Sequence, residues 1–307
     1  MMRASTWPEL PVDAWQPTRD TLTLWLQVVG KIRIARTPLL NHWWNAPLYV
    51  TSRGLTTSLM SAEAGRSFSI DLDLLEHHLD VTTTRGQAAR MELSPKTVRD
   101  FYAELNELLD ELDLATPIWP VPVELPDAIP FPDDETHSSY DPEAVTTFWR
   151  TLVEVERVFS VFRARFVGKS SPVHLFWGAL DLATTRFSGR PAPPHPGGMP
   201  NCGPHVMHEA YSHEVCSAGY WPGAEGEGIF YSYAYPEPDR YRTMPAGPDG
   251  ARFDDELGEF VLPYTAVRTA REPDAVLLGF LQRTYEAAAV TGHWDRAALE
   301  RPQDAPP

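Results

Sequence analysis

The order in which helical and extended segments recur limits the fold of this chain more than any single motif does. From Thr18, the apolar residues Leu22, Trp25, Leu26, Val29 and Ile32 fall on one stripe at helical spacing, and Pro38 stops the pattern. Extended segments follow at 46–52, 67–74, 77–84 and 89–93. Ser94-Pro95 then reads as a helix start, a capping serine with proline in the first turn. The second half repeats the order. Asp141-Pro142-Glu143 opens a helix carrying Val145, Phe148, Trp149, Leu152, Phe159 and Phe162, which Gly168 can close. Extended segments follow at 173–187, 213–221, 228–235 and 259–262, and a last helix spans 273–290 before Gly292.

Each half therefore reads helix, four strands, helix. If the proline-rich pieces 7–12 and 118–125 are strands, the unit is β-α-β4-α, twice. The pattern predicts an α+β fold with internal duplication, in which two such units form an antiparallel sheet with helices packed on one face. That is the topology of the TATA-binding-protein-like fold, an analogy that says nothing about function. The expected organisation is a first half over 1–116, a proline-rich linker over 117–140 and a second half over 141–307. Proline numbers 30, near twice the roughly 5% average, and clusters in that linker and in a Pro/Gly/His-rich insertion at 190–210.

The segment 171–190, SPVHLFWGALDLATTRFSGR, is the least ordinary. Taken as one strand, alternation puts His174, Thr184 and Arg186 on one face and Trp177, Asp181 and Thr185 on the other. Both faces are largely apolar, so the charged residues are expected to be paired, because burying an unpaired charge is costly. His174 is the candidate acid/base residue, with His213 as its partner and Glu214 as the carboxylate that orients them. Arg53 and Arg186, each beside threonines, form a candidate clamp for a carboxylate or phosphate. Trp44, Trp177 and Tyr211 are candidate walls, and Tyr231, Tyr233 and Tyr235 alternate on one strand face that needs hydroxyl partners. A lesser alternative is a metal site at His205, His208 and His213, although Gly203-Pro204 does not read as part of a helix that would gather them.

A net charge of −16 disfavours nucleic acid, which would be repelled. The apolar run 22–30 is far shorter than the roughly 18 residues of a spanning helix, and the first 15 residues lack the apolar core of a secretory signal. Cys202 and Cys216 read as free thiols in a reducing cytoplasm. No dinucleotide, P-loop or nucleophile-elbow motif occurs. The cofactor and the oligomeric state are open.

At His42-Trp43-Trp44, Arg53-Gly54-Leu55-Thr56-Thr57, Ser171-Pro172-Val173-His174-Leu175-Phe176-Trp177-Gly178 and Glu209-Ala210-Tyr211-Ser212-His213-Glu214, the sequence resembles the bacterial proteins grouped as domain of unknown function 5996. The resemblance runs from Trp7 to Arg301. It implies a bacterial, soluble, single-chain protein of about this length, with no assigned activity, cofactor or catalytic residue. The insertion 196–208 departs from the family pattern. Two functions are carried forward. One is an enzyme using His/Glu acid-base chemistry on a small anionic organic molecule in a sheet-lined pocket. The other is a protein that binds a small molecule or a partner there without chemistry.

Overall fold

The computed structural model describes residues 7–223 and 226–302. Among them the chain forms seven α-helices and two antiparallel six-stranded sheets. Helix α1 (Val12–Arg36) starts earlier than its periodicity indicates and is buried on nearly every side, including Leu24, Gln27 and Val28 off the expected stripe. A helix buried on nearly every side runs through a core instead of lying on it.

The first sheet contains β1 (Tyr49–Val50), β2 (Gly54–Thr56), β3 (Met60–Ser61), β4 (Ser67–Asp73), β5 (His78–Thr83) and β6 (Ala88–Glu92). Its order is β1-β2-β4-β5-β6, with β3 on β4. Helix α2 (Val98–Glu111) is capped by Thr97, whose hydroxyl accepts from the Asp100 amide at 3.0 Å, so it begins after Ser94-Pro95. Helix α3 (Pro142–Ala164) starts where the sequence places it, with Asp141 accepting from the amides of Glu143 and Ala144.

The second sheet contains β7 (His174–Phe176), β8 (Asp181–Pro191), β9 (His213–Trp221), β10 (Ile229–Tyr235), β11 (Arg252–Asp254) and β12 (Glu259–Pro263), in the order β11-β12-β10-β9-β8-β7. The helices α4 (Pro204–Ala210), α5 (Tyr264–Arg268), α6 (Pro273–Thr291) and α7 (Arg296–Leu299) complete the chain. Three expectations need correction here. Each sheet has six strands where four were read. Neither 7–12 nor 118–125 is a strand. The insertion holds a helix, because Pro204 sits at the first helical turn, where it needs no hydrogen-bonded N–H.

The sheets meet edge to edge at Leu48 and Leu175, which exchange backbone hydrogen bonds of 2.9 and 2.8 Å. Helix α3 spans the join. Its Trp149 Nε1 donates to the Thr51 carbonyl at 3.0 Å, and its Phe162 lies under β8. The two halves share the order helix, sheet, helix, and the structure carries the expected duplication no further than that order. No described helix is long and apolar enough to cross a membrane.

The segment read as one strand over 173–187 is a hairpin. Leu180 adopts a left-handed φ of 63° in the turn, and the register pairs His174 with Ala183. The chain reversal changes parity. His174 shares its face with Asp181, Ala183 and Thr185, whereas Arg186 points the other way, towards α3 and α6. Arg186 is 1% exposed. Its guanidinium stacks 3.5 Å from the Phe162 ring and 4.3 Å from the Tyr285 ring and donates to the Phe162 carbonyl. Burial lowers its pKa to about 10. It cannot act as an anion clamp beside His174.

Trp177 in the hairpin turn packs against α1 at Gly30, and its Nε1 donates to the Ala46 carbonyl at 2.9 Å. A Cβ at Gly30 would come within 2.1 Å of that ring. Helix propensity alone favours Gly30→Ala by about 1 kcal/mol. The collision is expected to reverse the sign and destabilise by about 1–3 kcal/mol, read as a lower Tm in thermal denaturation. A raised Tm would show that the Trp177 ring is free to move aside.

Candidate functional site

The face of the second sheet turned away from α3 and α6 is covered by irregular chain. A 3₁₀ turn at Asn41–Trp43, the proline-rich strap 117–125 and the segment 192–212 with α4 lie over it. Two adjoining cavities remain beneath this roof. The inner one, about 230 Å³, is lined by His174, Asp181, Thr185, Ser217, Tyr231 and Tyr233, among others. The outer one, about 360 Å³, is mainly apolar and includes Lys31, Ile34, Trp119, Trp177 and Gly178. Trp43, Glu124, Phe176, Cys202 and Val206 line both.

The strap is pinned from below. Gln27, wholly buried on α1, donates from Nε2 to the Val123 carbonyl at 3.0 Å and accepts from the Val123 amide at 2.8 Å. The next residue, Glu124, is tied to the opposite flap through its amide, which donates to the Pro200 carbonyl at 2.8 Å. Its φ is +64°, the left-handed region that non-glycine residues seldom adopt. Its carboxyl rests on Gly178, where a Cβ would lie 2.2 Å from Oε1. Among the described residues that carboxyl has no hydrogen-bond or ion-pair partner. Burial, and then the charge of Asp181, raise its pKa to about 7.

Asp181 opens the strand β8. Burial raises its pKa to about 6, against the opposing effect of the Tyr231 hydroxyl, which donates to Oδ2 at 2.5 Å. Tyr231 reaches it by lying across Gly219 of β9, where a Cβ would be 2.3 Å from the hydroxyl. Glu259 on β12 is raised to about 7 by burial and then by Asp181. The remaining hydroxyls pair with one another, Tyr211 with Tyr233 at 2.6 Å and Thr185 with Ser217 at 2.9 Å.

His174 is 1% exposed. Burial, and then the charges of Arg33 and Arg163, hold its pKa down to about 3, so the imidazole is neutral at pH 7. Its Nδ1 is buried without a partner, as is Trp43 Nε1. His42 fastens the roof. Its Nδ1–H donates to the Ala210 carbonyl at 3.0 Å, and its Nε2 accepts from Lys169 Nζ at 2.6 Å. This tautomer is the neutral one that both contacts allow.

The structure brings His174, Trp44 and Tyr211 together on the inner wall and Trp177 on the outer. It separates the others. His213 lies with its ring 5.7 Å from that of His42, and its Nδ1 is 3.1 Å from the Ser212 hydroxyl. Glu214 alternates to the other face of β9, where it pairs with Arg190 at 2.6 Å and accepts from Ser188 at 2.8 Å. Neither holds His174. Arg53 sits on the first sheet in ion pairs with Asp73 and with Glu76, the latter at 3.1 Å. Among the described residues no three His, Cys, Asp or Glu side chains gather to hold a metal ion, so His205, His208 and His213 are not a ligand set.

Glu124 and Gln27 were missed at the sequence level. A carboxylate in a proline-rich linker and a glutamine on a helix carry no local sign of their contact. Asp181 was visible as a charge on an apolar strand. Residues 7–301 match a family of unknown function, DUF5996, and the chain belongs to that family. No curated protein and no solved structure matches the chain.

Because folding raises the Glu124 pKa, the folded state binds the proton more tightly than the unfolded state. Stability from this group is therefore lost as pH rises from about 4.5 to about 7. Glu124→Gln lacks that loss. Its Tm should exceed that of the wild type at pH 8 by the equivalent of about 1–2 kcal/mol, and the difference should vanish near pH 4.5. Equal melting temperatures at pH 8 would mean that the carboxylate is solvated or paired.

Proposed function

We propose that this member of the DUF5996 family binds a small organic molecule in the two-chambered cavity over its second sheet. The observation that carries this reading is Glu124. A left-handed non-glycine backbone costs on the order of 1 kcal/mol, and a half-buried carboxylate that gives up part of its hydration without gaining a partner costs further free energy. The chain offsets neither cost with a bond to that side chain. A ligand that meets the carboxyl would. The unpartnered His174 Nδ1 and Trp43 Nε1 on the same walls support the reading, as do cavity sizes that together fall within the roughly 300–1,000 Å³ of small-molecule sites. The apolar outer chamber suits a hydrocarbon or aromatic body, and the inner chamber suits a polar head. Arg53 and Arg186 lie elsewhere, so the anionic substrate inferred from them is not part of this reading.

A catalytic role has one specific support. Glu124 near pH 7 and Asp181 near pH 6 face one cavity with unequal proton affinities, the arrangement of a general acid and a general base. His174, with its pKa near 3, would serve as a hydrogen-bond partner and not as the base.

Val206 on α4 lines both chambers, so Val206→Phe should close the passage while leaving the sheet intact. In ligand-observed NMR with a library of small fragments, saturation transfer to wild-type protein is expected and should be lost in Val206→Phe, whose Tm stays within a few degrees. Fragments that bind both proteins equally would overturn the assignment of this cavity.

A further inference from the structure

We infer that the inner chamber receives the head of a small organic ammonium ion, a protonated primary amine on an apolar body; this rests on the cavity being a ligand site. Charge is the first argument. Asp181 and Glu124 face the chamber and Glu259 adds a third carboxyl within electrostatic reach of Asp181. The chamber walls present no lysine or arginine among the described residues. Of its two histidines, His42 has both ring nitrogens engaged and His174 is neutral. An anion would meet these carboxylates directly, since the nearby cations Lys169, Arg33 and Arg163 are not among the chamber's lining residues, whereas a cation relieves the carboxylates' mutual repulsion.

The second argument is independent of the acidic cluster. His174 is 1% exposed, lines this chamber and has Nδ1 without a partner. A neutral imidazole can accept a hydrogen bond at that atom, and a primary ammonium has three N–H donors to distribute. Those donors can be shared among His174, Asp181 and Glu124, which line the same chamber. Aromatic rings of Phe176, Trp44, Tyr211 and Tyr231 line the same space, and a desolvated cation is attracted to ring faces.

The outer chamber sets a limit on the ligand. Lys31 is the single cationic side chain among its lining residues, its Nζ 4.8 Å from the centre of the Trp119 ring. It would repel a second positive charge there, so the ligand carries its charge at the inner end only.

Isothermal titration at pH 7.5 with phenethylamine, 2-phenylethanol and phenylacetate separates the outcomes. These probes share the apolar body and differ in the charge of the head. Phenethylamine should bind about tenfold or more tighter than the alcohol, with phenylacetate weakest. Asp181→Asn should lose about tenfold in phenethylamine affinity and Glu124→Gln several-fold. Alcohol or phenylacetate binding as tightly as the amine would overturn the ammonium assignment and leave the cavity reading standing. No binding of any probe at millimolar concentration would overturn both. The wild-type comparison decides the matter even if Asp181→Asn fails to fold.

Discussion

The side-chain amide of Gln27 holds the irregular half of the cavity in place. A sheet face can be covered by helices, whose backbone groups bond internally, or by loops, whose backbone groups need partners from elsewhere. Here one face of the second sheet takes α3 and α6, and the other takes loops. Gln27 supplies both partners of Val123 at the centre of the strap. Asn201 adds another by donating from Nδ2 to the Leu125 carbonyl at 2.9 Å, which joins the two flaps. The prolines reduce the demand, since each removes an N–H that would otherwise need an acceptor. Pro117, Pro120 and Pro122 in the strap, and the prolines from Pro191 to Pro204 in the insertion, lower the number of backbone donors this chain must satisfy over the sheet.

Two opposite charges in the first half of strand β8 never meet. Asp181 and Arg186 are five residues apart and so face opposite sides. Arg186 is accommodated by aromatic faces and a backbone carbonyl, which suits a planar, weakly hydrated guanidinium. Asp181 has no cation and keeps company with a tyrosine hydroxyl and other carboxyls. The result is a sheet with a settled cation on the helix side and unneutralised acid on the cavity side. That asymmetry gives the cavity its chemical character.

Much of the architecture was legible locally. Asp141-Pro142 announces α3, Gly292 closes α6, and the strand His213–Trp221 agrees with its sequence reading, because caps and alternation act over a few residues. The hairpin at 174–191 was not legible. Its turn, Trp177–Leu180, is mostly apolar with a single glycine, so the alternation of the sequence runs straight through it. That one reversal exchanged the faces of His174 and Arg186 and dissolved the expected clamp. The short helix α4 was hidden by Gly203-Pro204, a pair that reads as a breaker and here serves as a helix start.

The α+β class, the long helices, most long strands and the concentration of acid over base follow from near neighbours or from composition alone. The face that His174 occupies, the seat of Glu124 over Gly178 and the titration of Glu124 and Asp181 near neutrality depend on the folded chain. Desolvation and repulsion act between groups distant along the chain, such as Glu124 and Asp181. Their strength is set by the fold that brings those groups under one roof.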